Sequence, residues 1–148
     1  MRVVLQRVAW ASVAVAGEPV SRIGPGYLLL VGAGRDDLPD EPARLAEKIA
    51  NLRIFADGEG KMNRSLAEIG GEVLVVPQFT LYGDVRKGRR PSWAAAADPS
   101  VAAERVEAFA LSLERQGLTV GRGVFGAHMD VELLNDGPVT LIIDGAAR

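Results

Sequence analysis

Two hydrogen-bonding side chains, Gln78 and Thr80, close an otherwise apolar run that begins Val73-Leu74-Val75-Val76-Pro77. If the run is a strand, its period of two puts Gln78 and Thr80 on one face and Phe79 and Leu81 on the other. Two readings are open. The pair is a satisfied polar contact within a core, or the strand end lines a pocket where peptide N–H groups, the Gln78 amide and the Thr80 hydroxyl face a polar ligand. A conventional catalyst is hard to find beside them. The single histidine, His128, shares one face of its strand with Asp130 and Glu132, an ordinary solvated face if Met129, Val131 and Leu133 point to the core. No Gly-x-Ser-x-Gly elbow exists for a Ser–His–Asp triad. One histidine and scattered carboxylates offer no spacing that zinc or a di-metal centre would use, so neither metal nor cofactor is expected.

Arg86-Lys87-Gly88-Arg89-Arg90 places four cations within five residues, followed by Pro91-Ser92-Trp93. It is either a solvated charge run or a loop that meets phosphate, with an aromatic neighbour suited to a base. The whole chain, with 17 basic and 19 acidic residues, has a formal charge of −2, so contact with nucleic acid must be local. From spacing alone, Asn135-Asp136-Gly137-Pro138 is a turn between two strands of a hairpin.

The elements that must position these residues follow from periodicity and punctuation. Strands are expected at 2–8, 10–16 and 26–33, the last apolar enough to be covered on both faces. Arg2 and Arg7 before Val8–Ala16 superficially resemble a signal peptide, but the run is weakly hydrophobic and contains Ser12, and reads better as strands. A helix is expected over 41–53, with Asp40 as N-cap and Leu45, Ile49 and Leu52 on one side. Residues 57–61 form a turn without the ligand spacing of a calcium or phosphate loop. A strand over 72–81, interrupted by Pro77, precedes a second helix over 99–116, with Asp98 as N-cap and Ala102, Val106, Phe109, Ala110 and Leu113 as its stripe. Two strands, 127–134 and 139–144, complete the order. Two helices cannot cover both faces of a large sheet, so sheet must also pack on sheet in an α/β arrangement.

The 148 residues suit one domain, 1–148, and at 48% hydrophobic and 24% charged the chain is globular rather than disordered. The absence of cysteine excludes disulfides and thiolate chemistry and fits the cytoplasm. No apolar stretch reaches the roughly 18 residues that a membrane span needs.

Gln78-Phe79-Thr80-Leu81 and Asn135-Asp136-Gly137-Pro138-Val139-Thr140 together resemble the paired signature motifs of the D-aminoacyl-tRNA deacylase family. Gln6-Arg7-Val8, Gly60-Lys61-Met62-Asn63, Arg90-Pro91-Ser92 and Phe125-Gly126-Ala127-His128-Met129 are similar to that family in the same order, so the likeness spans the chain. It implies a layered β/β/α domain with mixed sheets and two main helices, acting as a homodimer on D-aminoacyl-tRNA and on glycyl-tRNA, with no DNA or membrane partner. The resemblance makes Gly137 and Pro138, joined by a cis bond and inserted into the partner's site, a filter that leaves no space for an L side chain. Arg7 would hold that dipeptide, Met129 and Ala127 would line the pocket, and Phe125 would lie near the terminal adenosine. Arg86, Lys87, Arg89 and Arg90 would meet the tRNA. Gln78, Phe79 and Thr80 would form the catalytic centre, with peptide N–H groups stabilising the oxyanion and the 2′-hydroxyl of the terminal adenosine assisting hydrolysis. Thr80 as a covalent nucleophile is the alternative chemistry, and a non-catalytic tRNA-binding module the alternative function. In one respect the chain departs from the family pattern, because Pro77 stands where a serine is usual and can supply neither hydroxyl nor N–H.

Overall fold

A computed structural model describes residues 1–145. Its organising element is β1, Arg2–Val15, fourteen residues long. One edge of β1 pairs antiparallel with β3 (Gly26–Gly32) along its first half and with β2 (Glu18–Ile23) along its second. The other edge pairs antiparallel with β8 (Asp130–Asp144) from Arg2↔Asp144 to Ala14↔Asp130. Beyond β3 the sheet becomes parallel, adding β6 (Glu72–Pro77) and then β7 (Thr119–Arg122). Parallel neighbours need long crossovers. The first passes through α1 (Glu41–Ala50) and a two-stranded sheet of β4 (Phe55–Ala56) and β5 (Met62–Arg64); the second passes through α2 (Pro99–Arg115).

Two apolar clusters show how the layers stack. One lies between the sheet and both helices, combining Val3, Leu5, Tyr27, Leu29 and Val75 with Ile49, Phe109 and Leu113. The other lies within the curled sheet and joins Val8, Ala11, Val13, Leu28, Leu74 and Val76 to Met129, Val131 and Leu133. The curl is tight enough that a Cβ at Gly121 in β7 would collide with Ser21 Oγ in β2. The result is the expected layered α/β domain, although its two β layers are one mixed sheet curled over on itself, with the helices on one side. At the edge of the helical layer, the Met1 ammonium pairs with Asp37 at 2.6 Å and with the buried carboxylate of Glu41.

Several boundaries differ from expectation, each for an identifiable reason. The two N-terminal strands are one, because the breaks at Arg7 and Ala9 are register shifts rather than ends. Such shifts exchange the two faces, which is how Leu5 serves the first cluster and Val13 the second. Strand β2 was not expected, because six mostly exposed residues show no apolar alternation, and it enters through a tight turn at Ala16 and Gly17, both at positive φ. Helix α1 ends at Ala50 instead of 53. The 57–61 turn is a small hairpin head in which Asp57 Oδ1 accepts N–H bonds from Glu59 and Lys61 at 2.8 and 3.0 Å. Asp40 and Asp98 occupy the N-cap positions without side-chain capping bonds. The expected strand over 72–81 stops at Pro77, and Phe79–Tyr82 form a 3-10 turn. Instead of a hairpin, 130–144 is one strand that bulges around Gly137 and Pro138.

Candidate active site

Proline has no N–H to continue a ladder, and β6 leaves the sheet after Pro77 pairs with Val31. Gln78 N–H still reaches Val31 O at 2.8 Å, and the chain then winds into the 3-10 turn. This changes the expected alternation. Gln78, Phe79 and Thr80 all line one cleft of about 610 Å3, instead of Phe79 pointing away. The Gln78 amide donates to Thr80 Oγ1, and Phe79 stands edge-on to Trp93 with ring centroids 5.0 Å apart. Phe79 and Thr80 open the turn, where N–H groups have no acceptor within the turn itself.

The opposite wall is the loop before β8. Phe125, Ala127, His128 and Met129 line it, with Met129 Sδ accepting the Val124 N–H at 3.3 Å. The third side is Ala96–Pro99 at the start of α2, held against Ala33–Arg35 by Arg35 N–H to Ala95 O at 2.9 Å and Ala97 N–H to Ala33 O at 3.0 Å. Arg35 and Asp98 therefore join the cleft, and sequence reasoning missed both. Neither lies in a motif, and only the chain reversal after β3 brings them near Gln78. His128 faces solvent with its side chain 95% exposed, yet it stands at the cleft mouth. No group of three or more metal-ligating side chains occurs among the described residues.

Gly137 and Pro138 are placed elsewhere. They are exposed, absent from the lining of this cleft, and joined by a cis peptide bond. Gly137 has φ +134°, and a Cβ there would stand 2.8 Å from Val139 Cγ2 and 3.1 Å from Arg7 Nη2, so only glycine fits. Arg7 lies against the segment, with Nε donating to Asp136 O at 3.1 Å and Nη1 to Ile54 O at 2.5 Å. Its guanidinium also covers the Phe55 ring, which stacks on Tyr27. Burial pushes the Tyr27 phenol upward, so it stays neutral in the core.

The basic loop projects next to the cleft. Its base is closed by paired Asp84 and Ser92 backbones, each N–H to O distance 2.9 Å, which brings Trp93 to the wall. Arg86 turns back onto Asp84 at 2.6 Å, whereas Lys87, Arg89 and Arg90 are exposed without a carboxylate within 4.0 Å among the described residues. The Arg86 side-chain hydrogen bond, aided by the Arg86 N–H, holds the Asp84 carboxyl down at about 2.

A family profile described as D-Tyr-tRNA(Tyr) deacylase matches residues 4–144. The chain belongs to the D-Tyr-tRNA(Tyr) deacylase family. It is 60% identical over 146 residues to the D-aminoacyl-tRNA deacylase of Roseiflexus castenholzii, covering 99% of this chain and 93% of the relative. With that of Thermus aquaticus it shares 56% identity, covering 100% of this chain and 97% of the relative. A solved structure titled c-Myc DNA Unwinding Element Binding Protein superposes with a TM-score of 0.92 at 38% identity, covering 99% of this chain and 100% of that one. A probable eukaryotic D-amino acid tRNA deacylase at 23% identity has the same fold, with a TM-score of 0.80 and coverage of 96% and 97%. The chain is thus an enzyme of the hydrolase class, and the non-catalytic alternative is set aside.

The Asp84–Arg86 contact yields a titration test. A depressed carboxyl contributes above its ordinary value of 3.8 and loses that contribution as pH falls through about 2. Carboxyl-carbon NMR should show Asp84 titrating near the lower value, and Arg86→Ala should move it upward. A midpoint unmoved by that substitution removes Arg86 as the cause.

Proposed function

We propose that this enzyme hydrolyses the ester joining a D-amino acid, or mischarged glycine, to the 3′ end of a transfer RNA, releasing free amino acid and tRNA. Two copies form a homodimer in which the Gly137-Pro138 segment of each enters the other's cleft. The observation that carries the reading is the separation of two parts in one chain: a cleft that combines the Gln78 amide and the head of a 3-10 turn with aromatic rings, and an exposed dipeptide, held by Arg7, that is absent from its lining. Leu134 and Ile142 on the outer strand β8 are 54% and 71% exposed, which supports association through that strand.

In the proposed complex, the terminal adenosine occupies the cleft near Phe125, and the aminoacyl ester lies against Gln78, Phe79 and Thr80. Water attacks the carbonyl carbon, the Phe79 and Thr80 N–H groups stabilise the developing oxyanion, and the 3′ oxygen leaves with a proton. The adenosine 2′-hydroxyl assists that proton movement, which fits a cleft whose one histidine is solvated. Preorganised donors of this kind are worth about 10²–10³ in rate each. Pro77 contributes only shape. Gly137 and Pro138 carbonyls from the partner accept from the substrate ammonium, while Met129 and Ala127 bound the space for the side chain. An L side chain meets the dipeptide, and rejection is steric. Lys87, Arg89, Arg90 and, when released from Asp84, Arg86 meet tRNA phosphates. Among the described residues no helix is long and apolar enough to cross a membrane, and we place the reaction in the cytoplasm.

Deacylation assays with D-Tyr-tRNA and L-Tyr-tRNA test the assignment: rapid loss of the D ester with the L ester intact is expected, and equal cleavage would falsify the stereochemical part. Thr80→Ala should keep most of the activity, since its hydroxyl is engaged by Gln78 and no basic side chain is hydrogen-bonded to it among the described residues; complete inactivation with intact tRNA binding establishes the nucleophile instead. Replacing Arg86, Lys87, Arg89 and Arg90 by alanine should raise KM and flatten its dependence on salt, the log–log slope falling by roughly 0.7–0.9 for each phosphate no longer neutralised. A slope identical to the parent enzyme's takes the loop out of the interface.

A further inference from the structure

The ladder between β1 and β8 contains an unequal step. Gln6 pairs with Thr140 and Val8 with Asn135, so Arg7 alone faces the four residues 136–139. Extra residues on one strand must leave the ladder, and the backbone groups around them lose their partners. Two such carbonyls, Arg7 O and Val139 O, are both taken by one side chain: Asn135 Nδ2 donates to them at 2.9 and 3.0 Å. The amide is orientated from its other end, because Thr140 Oγ1 donates to Asn135 Oδ1 at 3.4 Å and itself accepts from Gln6 Nε2 at 3.3 Å. Exchanging Nδ2 and Oδ1 would set oxygen against both carbonyls, so the amide has one orientation here.

We propose that Asn135 is a positioning residue for substrate stereochemistry, a strut across residues 136–138 that fixes how far and in which direction Gly137 and Pro138 project from the sheet. This rests on the reading that handedness is judged at those two residues. Arg7 braces Asp136 from one side through its guanidinium, and Asn135 ties the two feet of the bulge together. Without the strut, the segment remains attached to β1 on both sides but its tip gains freedom. A filter that works by excluded volume loses discrimination when its wall moves, since displacements near 1 Å can change rates about a hundredfold.

Asn135→Asp keeps the shape and replaces the donor by an oxygen that repels both carbonyls. The expected result is a D/L ratio of kcat/KM on Tyr-tRNA lower by about tenfold or more, with the affinity for uncharged tRNA close to that of the parent and a melting temperature lowered by the two lost hydrogen bonds while unfolding stays cooperative. Thr140→Val, which keeps Nδ2 but removes the hydroxyl that anchors Oδ1, should shift the ratio in the same direction and serves if the aspartate variant does not fold. A ratio within about twofold of the parent in the folded variant, well short of that expected effect, overturns the proposal. Pro138→Ala measured in parallel separates the two levels: if it too leaves the ratio unchanged, the reading of Gly137-Pro138 fails and the role of Asn135 falls with it. If Pro138→Ala collapses the ratio while Asn135→Asp does not, only the role of Asn135 is overturned.

Discussion

The mismatch in length between β1 and β8 governs the rest of the structure. A single residue, Arg7, faces the four residues 136–139, yet the strands pair on both sides of the step, so the surplus must project. The projection is tolerated only because its polar groups are claimed. Arg7 takes Asp136 O with its side chain, and Asn135 takes Arg7 O and Val139 O. Each such hydrogen bond contributes a net value near 1 kcal/mol, and the two part-buried carbonyls would cost more, up to about 1–3 kcal/mol, if left alone. Arg7 is in turn held by Ile54 O and by Phe55, whose ring stacks on the core residue Tyr27. An exposed dipeptide is thereby tied to the centre of the fold.

The second constraint is the end of β6. Pro77 stops the ladder, and the 3-10 turn that follows puts three successive residues on one wall and leaves two N–H groups at its head. A strand continued to 81 would have sent Phe79 to the opposite face. Trp93 arrives from the base of the basic loop to pack edge-on against Phe79, so the aromatic wall of the cleft and the cationic loop are set by the same short closure at Asp84 and Ser92. The proposed chemistry suits these materials: amide dipoles fixed in space, a shaped cavity and a substrate that provides its own hydroxyl.

Much of the fold was legible along the chain, for physical reasons that differ by element. The block Tyr27-Leu28-Leu29-Leu30-Val31 reads as a strand covered on both faces because nothing polar interrupts it, and it lies between the two clusters. The stripe of α2 reads correctly because its packing has helical period. Strand β2 and the short strands β4, β5 and β7 were not legible, since a strand of two to six residues with polar or glycine positions carries too little pattern to distinguish it from loop. The continuity of β1 and β8 was also hidden, because a bulge and a turn present the same breaks in alternation.

Residue types and their order determined the chemical inventory: one histidine, no thiol, a cationic loop, a Gln–Thr pair, and two motifs whose resemblance to a known family spans the chain. Tertiary structure decided which of these share a space. It placed Gln78, Phe79, Thr80, Phe125, Ala127 and Met129 around one cleft, added Arg35, Trp93 and Asp98, and kept Gly137 and Pro138 outside it. The reason is that a local pattern reports only the period of its own element, whereas the meeting of distant elements depends on pairing registers. Here two of them, the proline end of β6 and the unequal step between β1 and β8, set the result.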